Sequence, residues 1–147
     1  GACIPSTNEN EQYIIEAANG VGDQFMVGSA GKVELLPETK WAVEAVRERI
    51  VQKLGSDVAF EWSFDGNVAW IMQLHRKTAV SSSKFVYYAG EPSEWLVYDA
   101  SCGLEGLRDL TELYKGSTKG IIVRGQVGVT SHFGDVLRQA KITSKIE

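Results

Sequence analysis

Hydrophobic positions recur along this chain with two periods, and the switches between them mark the predicted elements. Between Val58 and Leu74 they alternate: Val58, Phe60, Trp62 and Phe64, then Val68, Trp70, Met72 and Leu74. A period of two places successive side chains on opposite faces of a strand. Asp65-Gly66-Asn67 separates the runs and predicts an antiparallel hairpin. Burying both apolar sets on one face requires Phe64 to lie opposite Val68 across that three-residue loop. In this register Glu61 faces Ile71, and Gln73 is its diagonal neighbour on the polar face.

Elsewhere the spacing becomes helical. In ETKWAVEAVRERIVQKLG, Val43, Val46, Ile50 and Leu54 share one stripe, with Thr39 and Gly55 punctuating the ends. Leu104, Leu107, Leu110 and Leu113 predict a second buried stripe stopped by Gly116, and a third helix is expected from His132 to Ala140. Short apolar runs at YIIEA (13–17) and QFMVG (24–28) flank the turn Asn19-Gly20-Val21-Gly22, while KFVYYA, EWLVYDA and KGIIVR read as strands. The strand, helix, strand succession of EWLVYDA to KGIIVR predicts a right-handed parallel crossover. The fold class is therefore α/β. It divides into an antiparallel first unit, 1–80, and a second unit, 84–147, around Ser81-Ser82-Ser83.

Composition narrows the partners. At 147 residues, 44% hydrophobic and with a formal charge of −4, the chain has the apolar content for a packed core and lacks the basic surplus of a nucleic-acid binder. Cys3 and Cys102 form no CxxC pair and read as free thiols. No stretch approaches ~18 consecutive apolar residues and no signal-peptide pattern opens the sequence, so no membrane partner is expected and the location is read as cytoplasmic.

Three features could carry chemistry. Glu61 and Gln73 offer a carboxylate and an amide oxygen on one sheet face, a sparse oxygen set suited to Mg²⁺ that keeps waters and takes further ligands from phosphates. The plain alternative is the solvated face of a half-buried hairpin. Gly20 and Gly22 suit either a tight turn or a phosphate loop. Gly128, Thr130, Ser131 and His132 lie where a strand has ended and a helix begins, a position that favours an anion, and imidazole is a competent phosphoryl acceptor near neutral pH. Alternatively Ser131 is the helix N-cap and His132 an ordinary first-turn residue.

These stretches carry a resemblance. DVAFEWSFDGNVAWIMQLHR resembles the closing hairpin of the ATP-grasp nucleotide domain in the phosphoenolpyruvate synthase and pyruvate phosphate dikinase family, D-I-E-W-x(n)-L-x-I-L-Q-x-R. IIEAANGVGDQFMVG is similar to that family's IEAxxGLGExVVxG segment, and GVTSHFGDVLRQAKI resembles G-G-x-T-S-H-A-A-I-V-A-R-E-L-G-I-P of its phosphohistidine domain. The resemblance implies ATP and Mg²⁺ as cofactors, with Glu61 and Gln73 as metal ligands. It implies nucleotide or phosphate contacts from Gly20, Gly22, Arg76, Thr130 and Ser131, and His132 as acceptor of the β-phosphoryl with release of AMP. It further implies one piece of a larger phosphotransferase, completed by a second chain or domain, that passes the phosphoryl to an acceptor such as pyruvate. The alternative is a non-catalytic nucleotide-binding or interaction module. One departure stands out: the family arginine follows the glutamine by two positions, where this chain has His75, and Arg76 by alternation points to the other face, so that either a bulge restores Arg76, His75 substitutes for it, or the phosphate contact is lost.

Overall fold

A computed structural model describes every residue except Thr78 and Val80. The expected end of the first unit, at 80, thus lies outside the described residues. The order is β1 (Ala2–Pro5), β2 (Tyr13–Glu16), α1 (Gly22–Met26), α2 (Pro37–Leu54), β3 (Val58–Phe64), β4 (Ala69–Arg76), β5 (Trp95–Asp99), a 3-10 turn (Ala100–Cys102), α3 (Gly103–Leu113), β6 (Gly120–Arg124), α4 (His132–Ala140) and β7 (Ser144–Ile146). The first four strands form an antiparallel sheet in the order β2-β1-β3-β4, and the last three a parallel sheet in the order β5-β6-β7. The chain is mixed α/β, as its periodicities predict.

The hairpin has a different register from the one expected. Glu61 lies directly opposite Gln73, not Ile71, and a bulge then shifts the ladder so that Trp62 pairs with Ile71 and Phe64 with Ala69. The loop accordingly spans four residues, with Asp65 Oδ1 accepting from the backbone N–H groups of Asn67 and Val68 at 2.9 and 2.8 Å. One extra residue on β4 reverses the facing of everything before it. Phe60 and Trp62 on β3 are buried, whereas Trp70 and Met72 are 55% and 67% exposed. The expectation of one shared apolar face fails on β4 for this reason.

Cys3, Val58, Phe60 and Trp62 pack with Val43 and Ile50 of α2 into one core. Pro37 starts α2 at its first turn, where its missing N–H costs nothing, and Gly55 ends it at φ 91°. The second core joins α3, β6 and α4 through Leu107, Ile121, Val123, Phe133 and Leu137. Of the expected α3 stripe, Leu113 is exposed at the last turn. Three further expectations change. The 24–28 run contributes to the short helix α1, KFVYYA makes only an isolated bridge through Tyr87, and β7 adds a parallel strand after the histidine helix. The strand β1 carries no alternation long enough to predict it; its four residues are all buried at the centre of the sheet.

The two halves pack on each other. Val129 rests on Ile4, Ile14 and Ala59, on the sheet face opposite α2, and a Cβ on Gly28 would come within 2.7 Å of both Val127 and Phe133. The backbone of Thr7 bonds to the Ser81 carbonyl at 2.7 Å. Helix α4 ends at Lys141, which holds a left-handed conformation at φ 55°. Because glycine is free of the Cβ penalty there, Lys141→Gly should stabilise the protein by about 0.5–1 kcal/mol in denaturant titrations.

Candidate functional site

The direct pairing of Glu61 with Gln73 extends into a row across the sheet. Ala2 is paired with both Glu16 and Glu61, so Glu16, Ala2, Glu61 and Gln73 share one face. Directly opposed side chains in an antiparallel pair have Cβ atoms about 5 Å apart, close enough for a carboxylate and an amide oxygen to meet one ion. His75 lies on the same face one step along, opposite Ala59. Among the described residues, no group of three or more His, Cys, Asp and Glu could hold a metal. An ion on Glu61 and Gln73 would therefore draw most of its ligands from water or from a bound phosphate.

Glu61 also lines a cavity of about 480 Å³ with Gly20, Gly22, Asp23, Thr39 and Met72. Gly20 has φ 94°, and neither Gly20 nor Gly22 has a heavy atom within 4 Å of the place where a Cβ would stand. The glycine loop and the glutamate, 39 positions or more apart in sequence, thus border one space. Gln73 stands opposite Glu61 but is not part of that lining. Arg76 goes elsewhere. It pairs with Val58 on the α2 side of the sheet, and its Nη1 donates to the Leu54 carbonyl at 2.7 Å and to Asp57 at 2.8 Å. The bulge sits before Gln73 and so leaves the parity between Gln73 and Arg76 unchanged. The structure does not bring Arg76 to Glu61 and Gln73.

The third feature is at α4. His132 is the first residue of the helix, with its side chain 48% exposed. Its Nδ1 lies 3.4 Å from Asp135 Oδ2. The other oxygen of Asp135 accepts from Lys77 Nζ at 2.9 Å and from Arg138 Nη2 at 2.8 Å. Burial pushes the Asp135 carboxyl up, but the hydrogen bonds and charges of Arg138 and Lys77 together outweigh it and hold the group below the usual carboxylate range. Arg138 is itself buried and also donates to Ser81 Oγ and the Val129 carbonyl, both at 2.9 Å.

Thr130 and Ser131 do not stand beside the ring as open phosphate ligands. Both are buried; the Ser131 hydroxyl donates to the Gly128 carbonyl at 2.7 Å and makes no cap hydrogen bond, although Ser131 occupies the N-cap. The Thr130 N–H donates to Glu16 Oε2 at 2.8 Å, and the Thr130 hydroxyl has no partner among the described residues. His132, Thr130 and Ser131 do not line the Glu61 cavity. Cys3 is buried, and burial lifts its thiol to about 12, so it stays neutral. Cys102 is exposed.

Asp135, Lys77 and Glu16 lie outside the residues that the sequence pattern predicts for the site. Asp135 follows His132 by three positions, the spacing at which helical side chains meet, and that signal was available. Lys77 and Glu16 carry no local signal, because each acts on a residue more than fifty positions away.

In comparison with known proteins, no protein-family model, no curated protein and no solved structure matched the chain. Among the described residues, no helix is long and apolar enough to cross a membrane.

Proposed function

We propose that the chain is part of an ATP-dependent phosphotransferase of the dikinase kind, in which His132 takes a phosphoryl group from ATP and passes it to a second acceptor. The observation that carries this reading is the direct opposition of Glu61 and Gln73, with Glu61 and the Gly20–Gly22 loop around one cavity. Mg²⁺ held by Glu61 and Gln73 would neutralise charge on the nucleotide phosphates. Gly20 and Gly22 leave room for a phosphate to approach the backbone. A bond forms between a ring nitrogen of His132 and the β-phosphorus as the bond from that phosphorus to the α,β-bridging oxygen breaks with its electron pair to AMP; water then takes the γ-phosphoryl as the bond from the γ-phosphorus to the β,γ-bridging oxygen breaks, leaving the β-phosphoryl on the ring and releasing inorganic phosphate. Since His132 is outside the cavity, transfer requires α4 to release the Glu16–Thr130 and Lys77–Asp135 contacts and travel, or a second chain to supply the partner site.

The engagement of Arg76 by Asp57 and Leu54 favours a second reading, a nucleotide-binding module without turnover. In that case MgATP raises the unfolding temperature without leaving an adduct.

The test of the carrying observation is a double-mutant cycle on MgATP binding by calorimetry, with Glu61→Ala, Gln73→Ala and the pair. Two ligands of one ion are coupled, so the double variant should lose less than the sum of the single losses, with a coupling of about 0.5–3 kcal/mol. Additive losses, or binding indifferent to both changes, would remove the shared-ion reading.

A further inference from the structure

Asp135 is not where a merely solvated helix residue would be. Its Oδ1 receives two cations, Lys77 from just after β4 and Arg138 from one turn along α4, while Oδ2 is turned to His132 Nδ1. A carboxylate that already accepts from an ammonium and a guanidinium is an acceptor only, so the proton between Oδ2 and Nδ1 belongs to the ring. The side chain of Asp135 is one-third exposed and that of Arg138 6% exposed. This half-screened pair is built into the core, and Arg138 is pinned by Ser81 and Val129. Groups facing Asp135 are thus His132 and Arg138 from its own helix and Lys77, the residue after β4.

We infer that Asp135 is a positioning residue for phosphoryl transfer: it fixes His132 with its proton on Nδ1 and leaves Nε2 as the bare nitrogen that takes the phosphoryl. The inference rests on the phosphoryl-acceptor reading of His132. It adds a residue and a ring nitrogen to that reading. In the transfer the Nε2 lone pair forms the bond to phosphorus, the bond to the leaving group breaks with its electrons, and no proton has to leave Nε2 first. The positive charge that results on the ring is balanced by Asp135. Lys77 directly follows β4, the strand of Gln73, so with α4 docked as described the first half of the chain also holds the carboxylate.

The tautomer of His132 is measurable in the full chain by ¹⁵N-detected NMR of the imidazole, without any nucleotide. The neutral ring is expected to carry its proton on Nδ1, and Asp135→Asn is expected to move it toward Nε2. His75, exposed on β4 and without a carboxylate partner among the described residues, is the internal control. Potassium phosphoramidate, a donor that needs no enzyme site, should phosphorylate His132 on Nε2 over Nδ1 with a ratio that falls about tenfold in Asp135→Asn, read by ³¹P NMR. Asp135→Asn also weakens two ion pairs, so Lys77→Gln, which keeps the carboxylate and Arg138, is run beside it and should shift the ratio less. A wild-type ring protonated on Nε2, or a ratio unchanged in Asp135→Asn, overturns the inference. Labelling at Nε2 by phosphoramidate with none by MgATP leaves the inference standing and removes the phosphotransferase reading.

Discussion

Replacing His132 with alanine is expected to abolish formation of an acid-labile, base-stable phosphoryl adduct from MgATP while leaving the unfolding temperature nearly unchanged. The two halves of this expectation come from different facts. The ring is half exposed and its one polar contact, to Asp135, is long at 3.4 Å, so its removal costs little stability, of the order of 0.5 kcal/mol. Among the described residues, no other exposed hydroxyl, thiol or imidazole stands at the start of α4. Thr130 and Ser131 are buried, and the Ser131 hydroxyl is bonded to Gly128. Intact-mass measurement after acid and base treatment distinguishes a phosphorylated histidine from a phosphorylated hydroxyl. An adduct that persists in His132→Ala would place the acceptor elsewhere.

Arg138→Ala should have the largest effect on stability, a loss of about 3–5 kcal/mol in denaturant titration. The guanidinium is buried and satisfies Ser81 Oγ, the Val129 carbonyl and Asp135 together. Truncation strands two acceptors and leaves Asp135 with Lys77 alone among its cations. It also loosens the loop that leads into His132, because Val129 seats that loop on Ile4 and Ile14. The acid dependence should change with it. A carboxyl held below its unfolded value stabilises the fold above the unfolded carboxyl pKa, about pH 4, and the contribution disappears as pH falls through the lower folded value. Arg138→Ala should reduce that acid-linked loss, which unfolding midpoints measured from pH 6 down to pH 2.5 would reveal. A variant as stable as the parent would mean that the buried network contributes nothing.

Elements with a long, regular period were legible in the chain. The α2 helix with buried Val43 and Ile50, the α3 helix, the crossover from β5 to β6 and the helix opening at His132 stand where periodicity predicts them, whereas Leu54 at the end of the α2 stripe is exposed. What escaped was set by tertiary contact. β1 has only four residues, too few for a period, and is held by partners on both sides. The bulge opposite Glu61 leaves no mark in the alternation of β4, yet it turns Trp70 and Met72 outward and brings Gln73 level with Glu61. For the site, the residue types were visible while their company was not. Glu61 and Gly20 meet at one cavity, but Arg76 is held at the end of α2, and the residues that hold Asp135 beside His132 come from both halves.

Movement of a phosphoryl group from ATP to His132 is read out by incubating the chain with Mg²⁺ and ATP labelled separately at the β- and γ-phosphorus. The expected result is β-label on His132 in step with release of AMP. Protein left unlabelled by the β-phosphoryl, or label gained with release of ADP instead, would contradict it.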